Sequence, residues 1–170
     1  MRKKISLREF QEYLGKRLTS AARGEVSSAL LGVQSGNESW LLNLSDSGEI
    51  IPLTTLSAVP LTHPWFSGIA NIRGNLYSVV DFSAFRGDEP TPANPNARLV
   101  LIGTRFGANS ALLVTRMLGL KPADAFTAVD APGAQPAWVD GVWEDASGKR
   151  WRKLNVPGLL SDAGFMHVGI

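Results

Sequence analysis

The sequence predicts a mostly-β domain built from short hairpins and closed as a sandwich or as small barrels. Three observations carry that prediction. The 17 Gly and 10 Pro are spread along the 170 residues and form no low-complexity tract, so turns recur throughout. Between them lie apolar runs of about four to eight residues, the length of strands and short for helices. Hydrophobic residues make up 44% of the chain, enough for one compact domain of this length to close a sizeable core.

One helix is expected ahead of the strands. Ser6-Leu7-Arg8-Glu9 is a capping box, in which the Ser6 hydroxyl accepts from the Glu9 N–H and the Glu9 carboxylate reaches back to the Ser6 N–H. Ile5 and Phe10 flank it as a hydrophobic staple, and the helix runs from Leu7 to about Ala22. Leu7, Phe10, Tyr13 or Leu14, Leu18 and Ala21 fall on one face, so this helix needs a surface to lie against. That surface is either the protein's own flank or a partner chain. Residues 1–25 hold seven of the 17 Lys and Arg against Glu9, Glu12 and Glu25, a net +4 that leaves −2 on the remainder of a chain of net +2. Residues 1–24 therefore read as a basic helical extension and residues 25–170 as the folded domain. A basic arm of this kind suits nucleic acid, an anionic membrane or an acidic partner, or simply stays solvated.

The strands follow in order. Ala29–Gln34 and Ser39–Leu44 flank the turn residues Ser35-Gly36-Asn37 and form a first hairpin. Ile50–Leu53 and Leu56–Val59 are short strand candidates, with Pro52 marking an edge or bulge. Two segments rich in Ile, Val and Tyr between Gly68 and Asp81 are interrupted at Gly74, which reads as strand, tight turn, strand, with Arg73 at the turn. Residues 86–96 carry three prolines and read as a connection between halves, the best place for a mobile loop. Arg98–Gly103 and Ser110–Met117 make another hairpin about residues 106–109; Trp138–Trp143 and Arg150–Val156 make the last, about residues 145–148. In its returning strand Arg150-Trp151-Arg152 alternates basic with apolar, which predicts an exposed cationic face. Pro157 opens a short helix or turn that ends near Ala163.

Composition argues against several chemistries. The chain contains no cysteine, so disulfides and thiolate sites are excluded. No apolar run approaches a membrane span and the amino terminus lacks the apolar core of a signal peptide, so a cytoplasmic location is expected. His63 and His167 are the only histidines, and neither has a carboxylate or second histidine at ligand spacing. No G-x-S-x-G, phosphate loop or G-x-G-x-x-G occurs, and the acidic pairs Asp88-Glu89 and Glu144-Asp145 fall in turns. Enzyme function is disfavoured. A small β-barrel that binds single-stranded nucleic acid is the competing reading, with Trp143 and Trp151 stacking on bases and Arg150 and Arg152 lining a basic groove.

The block from Pro60 to Phe85 resembles the CheW family of chemosensory coupling proteins. Trp65, Gly68, Asn71, Arg73, Gly74, Val79, Val80 and Asp81 match that family's aromatic segment, its Gly, its N-x-R-G and its apolar run closing on Asp, in order over 17 residues. Ser78 stands where many members have Pro, and Thr115 where Asp is common. The likeness is strong from Leu41 to Phe85, moderate from Arg98 to Leu120 and weak beyond, where Arg150, Arg152 and Lys153 replace mostly apolar closing strands. The resemblance implies two small SH3-like β-barrels packed together within residues 25–170. It also implies a non-enzymatic adaptor without cofactor that joins the regulatory domain of a CheA-like histidine kinase to the cytoplasmic tip of a methyl-accepting chemoreceptor. The leading Gly48-Glu49-Ile50-Ile51-Pro52 looks closest to the subgroup serving type IV pilus twitching systems. By position, Glu49 and Ile50 match the family's E-I pair beside its contact surface and Arg73 its coupling arginine. An arginine at a turn can equally tie down carbonyls or Asp81. Asn71 and Gly74 read as turn-formers, Gly74 through positive φ. Leu99 and Leu120 match apolar positions near interfaces that core packing also explains.

Overall fold

The computed structural model describes residues 29–102, 107–131 and 133–170, and the helix expected from Leu7 to Ala22 lies outside the described residues. The chain begins with a hairpin of β1 (Ala29–Ser35) and β2 (Glu38–Asn43), turns through one 3-10 turn, and continues as β3 (Ser47–Pro52). A second hairpin, β4 (Phe66–Ile72) and β5 (Asn75–Asp81), leads into the one-turn helix α1 (Phe82–Phe85). β6 (Arg98–Ile102), β7 (Ser110–Val114), β8 (Arg116–Pro122) and β9 (Thr127–Val129) follow, then the hairpin β10 (Val139–Glu144) and β11 (Arg150–Leu154). Two short helices, α2 (Val156–Leu160) and α3 (Ala163–Met166), end the fold.

These strands form two sheets, in the orders β8-β1-β2-β11-β10-β9 and β3-β6-β7-β5-β4. The five-stranded sheet is contiguous in sequence, whereas the six-stranded sheet joins the first hairpin to the last strands. Two pairings are parallel, β2 with β11 and β5 with β7. The six-stranded sheet closes on itself because the 3-10 turn Ala123–Ala125 carries the chain from one edge strand, β8, directly to the other, β9. The five-stranded sheet curls likewise: Ser57, just past β3, bridges Ile69 of β4 at the opposite edge.

Curling gives each sheet an inner face, and the two outer faces meet. Along β6 the side chains alternate accordingly. Leu99 and Leu101 fill the five-stranded sheet with Ala70, Val79 and Leu113, while Val100 and Ile102 face the other sheet. Along β2 Leu41 packs inside the six-stranded sheet with Leu30, Phe126 and Trp151, while Trp40 and Leu42 join the layer between the sheets. Strands buried on both faces need apolar residues at every position, which is why these segments read as unbroken runs. Rings of Trp40, Phe82, Trp138, Phe85 and Phe165 form a network of edge-to-face and tilted contacts in the middle layer, centroids 4.8–6.0 Å apart.

Four expectations need correction. Leu56–Val59 forms no strand but a single bridge, between Ser57 and Ile69. The run Ser110–Met117 breaks at Thr115, where the chain passes between sheets. There the Thr115 N–H donates to the Gln34 carbonyl (2.8 Å) and its hydroxyl accepts from the Gly36 N–H (2.9 Å). The proline-rich connection is tied down by Asp81, which accepts from the Thr91 N–H (2.7 Å) and hydroxyl (2.6 Å) and caps α1 at Ala84 N–H. Finally, the cationic face expected on β11, an interior strand between β2 and β10, is exposed at Arg150 but half-buried at Arg152. Arg152 lies 4.8 Å over the Trp40 ring and donates to Glu38 (3.0 Å) and Gln135 (2.8 Å).

The turn between β10 and β11 is organised by one carboxylate. Asp145 accepts from the Ser147 hydroxyl (2.6 Å), the Trp151 indole N–H (3.0 Å) and the Ser147 and Lys149 N–H groups (2.9 and 3.0 Å). The Ser147 hydroxyl foremost, then Trp151, hold its pKa down from 3.8 to about 2. A carboxylate stabilised this way contributes fully above its unfolded-state pKa and loses that contribution as pH falls through its folded one. Asp145→Asn is therefore expected to lose less stability than the parent chain between pH 5 and pH 2, read as the shift in urea midpoint; parallel losses would count against this role.

Candidate interaction surface

The β4–β5 turn places Arg73. Ile72 pairs with Asn75, leaving Arg73 and Gly74 as a two-residue connection, with φ of 51° and 86°. Positive φ at both positions is the type I′ pattern, whose twist matches that of the flanking strands. The Asn71 side-chain oxygen accepts from the Gly74 N–H at 2.9 Å and fixes the turn. A Cβ on Gly74 would meet nothing within 4 Å, so glycine is needed there for conformation and not for space. Arg73 enjoys no such freedom. A non-glycine residue held left-handed costs roughly 1–2 kcal/mol.

Across the curl of the sheet Arg73 forms an ion pair with Glu49 of β3. β3 shifts register against β6 between Ser47 and Ile50, and such a bulge re-aims side chains; Glu49 lies on its outer side, exposed. The Arg73 side chain is 69% exposed, and a solvated pair of this kind contributes about 0–1 kcal/mol. The pair therefore does not offset the strain of the turn that presents it. Asp81, the other candidate partner for Arg73, is occupied by Thr91 and α1.

The predicted residues separate into three groups. Glu49, Asn71, Arg73 and Gly74 come together on one face of the five-stranded sheet. Leu76, directly opposite Asn71 and 60% exposed, joins them. Sequence reading passed it over because it looks like any strand leucine; its position opposite an exposed turn residue is the signal that could have found it. Ile50 is half-buried against the layer between the sheets, while the neighbouring Ile51 packs inside the curl. Leu99 is fully enclosed between Ile51 and Leu113, which makes it a core residue. Leu120 stands on the edge strand β8 of the other sheet, opposite Leu31 and 40% exposed.

Reacting groups are sparse. Among the described residues no three His, Asp or Glu side chains gather as a metal site. His63 stacks on Trp65 (5.3 Å) with His167 beyond it at 6.3 Å, away from the face just described. Of the two rings envisaged as a stacking platform for nucleic acid, Trp151 is buried, with the ammonium groups of Lys149 and Lys121 4.6 and 5.8 Å above its ring, and Trp143 is half-buried. No helix among the described residues is long and apolar enough to cross a membrane.

Comparison with known proteins agrees with this architecture. The chain is 24% identical over 144 residues to Protein PilI of Pseudomonas aeruginosa, covering 82% of this chain and 79% of that one. Its fold is similar to the crystal structure of the scaffolding protein TtCheW from Thermoanaerobacter tengcongensis, with a TM-score of 0.68 at 18% identity over 82% of this chain and 96% of that one. The CheW-like domain matches residues 29–164, both sheets and most of the terminal helices. The chain belongs to the CheW-like domain family.

Proposed function

We propose that this protein is a non-enzymatic adaptor that couples a methyl-accepting receptor to the regulatory domain of a CheA-like histidine kinase at receptor arrays. Its similarity to PilI favours a system controlling type IV pilus twitching. The observation that carries the reading is Arg73, held left-handed at an exposed turn where Gly or Asn would fit at lower cost. Strain retained without compensating stability points to a use outside the fold. Glu49 and Leu76 beside it complete a charged and apolar patch of the kind that anchors a partner. Leu120 offers a second contact on the other sheet.

Arg73→Glu tests this. The turn conformation is kept, and the new carboxylate faces Glu49. The melting curve by circular dichroism is expected to stay close to that of the parent. Capture of the kinase regulatory domain is expected to fall about tenfold or more, the effect of losing an interface arginine worth roughly 1.4 kcal/mol or above. Undiminished capture of both kinase and receptor would remove the assignment, as would a variant that unfolds.

A further inference from the structure

Beside the β1–β2 turn a cavity of about 550 Å³ opens on the six-stranded sheet. Lys149, Arg150 and Arg152 line it with Asn37, Glu38 and Ser39. Arg150 and Arg152 share its wall because alternate residues of β11 point the same way, while Trp151 between them is buried in the core of the sheet. Three cations thus face one carboxylate, and both oxygens of that carboxylate are occupied, Oε1 by Arg152 and Oε2 by Arg86. Arg150 is 63% exposed, and Glu144 lies 3.9 Å away, beyond hydrogen-bond reach. Burial pushes the Arg152 pKa below its ordinary value, so an anion nearby would stabilise its charge. Residues 26–170 carry a net −2, so this concentration of positive charge is local and does not belong to a generally basic surface. Two features select the ligand. The Arg152 amino groups already donate to Glu38 and Gln135 (3.0 and 2.8 Å), so its fork does not close on a phosphate. Arg150 and Arg152 stand about 7 Å apart along the strand, the repeat at which an extended peptide presents carboxylates from alternate residues.

We propose that this cavity binds an acidic segment of a partner protein, extended along β11 with carboxylates at alternate positions. The Arg73 surface lies on the other sheet, so either assignment can fail alone. The full chain and a fluorescein-labelled peptide of alternating Glu and Ser, followed by fluorescence anisotropy, provide the test. Reversing two exposed cations in Lys149→Glu/Arg150→Glu is expected to weaken binding about tenfold. The same charge change outside the cavity, Lys3→Glu/Lys4→Glu, is expected to alter it less than about twofold. Should the first variant fail to fold, Lys149→Gln/Arg150→Gln decides, with an expected loss of about threefold. Weakening confined to the cavity variants sustains the proposal. Absence of binding by the parent chain, equal weakening by the two reversals, or undiminished binding in the cavity variants overturns it. Inorganic phosphate that displaces the peptide better than acetate at matched ionic strength would assign the cavity to a phosphate group. A thymidine oligonucleotide that outcompetes the peptide would assign it to nucleic acid; each of these also overturns the proposal.

Discussion

Gly68→Ala is expected to lower the unfolding free energy by roughly 2–4 kcal/mol, because two separate costs fall on one methyl group. Gly68 has a φ of 135°, a conformation that L residues rarely adopt. Its added Cβ would also sit 2.6 Å from the Ser57 carbonyl oxygen and 3.1 Å from the carbonyl carbon. That carbonyl cannot easily retreat. It accepts from the Ile69 N–H at 2.9 Å while the Ser57 N–H donates to Ile69 at 2.8 Å, and this bridge brings the two edges of the five-stranded sheet together. Urea unfolding with an unchanged slope and a lower midpoint is the expected result. A loss under about 0.5 kcal/mol, the range of an ordinary surface substitution, would show that closure tolerates displacement of Ser57.

Glu38→Ala is the second large effect, and it acts on charges. Glu38 pairs with both Arg86 and Arg152, and the Arg86 side chain is only 4% exposed, its guanidinium 5.1 and 5.4 Å over the Phe82 and Trp40 rings. Burial pushes the Arg86 pKa below its ordinary value, and Asp88 opposes that shift. Removing one partner of a buried pair costs about 3–5 kcal/mol because the other is left uncompensated. Here Glu38 is itself 33% exposed and Asp88 remains, so a loss of about 2–3 kcal/mol is expected. Adding Arg86→Met should recover part of that loss, since an apolar chain between Trp40 and Phe82 needs no counter-charge. A double-mutant cycle measures the coupling; strictly additive losses would show that the two groups do not act together.

The hairpins were legible because their turns carry local chemistry. Gly36-Asn37, Arg73-Gly74 and Ser147-Gly148 each sit between apolar runs, and the structure places a turn at each. Edge strands were not: β8 is exposed along much of its length and β9 spans only Thr127–Val129, so neither shows a strong apolar pattern. Arg152 was misread for a different reason. Its neighbours in sequence, Trp151 and Lys153, say nothing of its surroundings, and the groups that decide its orientation, Glu38 and Trp40, come from the first hairpin. The candidate surface was half visible. Family resemblance marked Glu49 and Arg73 separately, and only the curl of the sheet makes them partners. The resemblance also marked Leu99, whose burial follows from alternation along β6, a pattern that four consecutive apolar residues conceal.

The order in which the chain is made does not match the order of its sheets. Trp40 pairs with Arg152, and no strand before β11 supplies the other neighbour of β2. As the polypeptide leaves the ribosome, the middle portion, Ser47 to Val114, holds every strand of its own sheet and can condense while the tail is still being synthesised. The opening hairpin meanwhile carries an unpaired, strongly apolar rim. Premature termination anywhere before Leu154 therefore injures the beginning of the protein as much as its end.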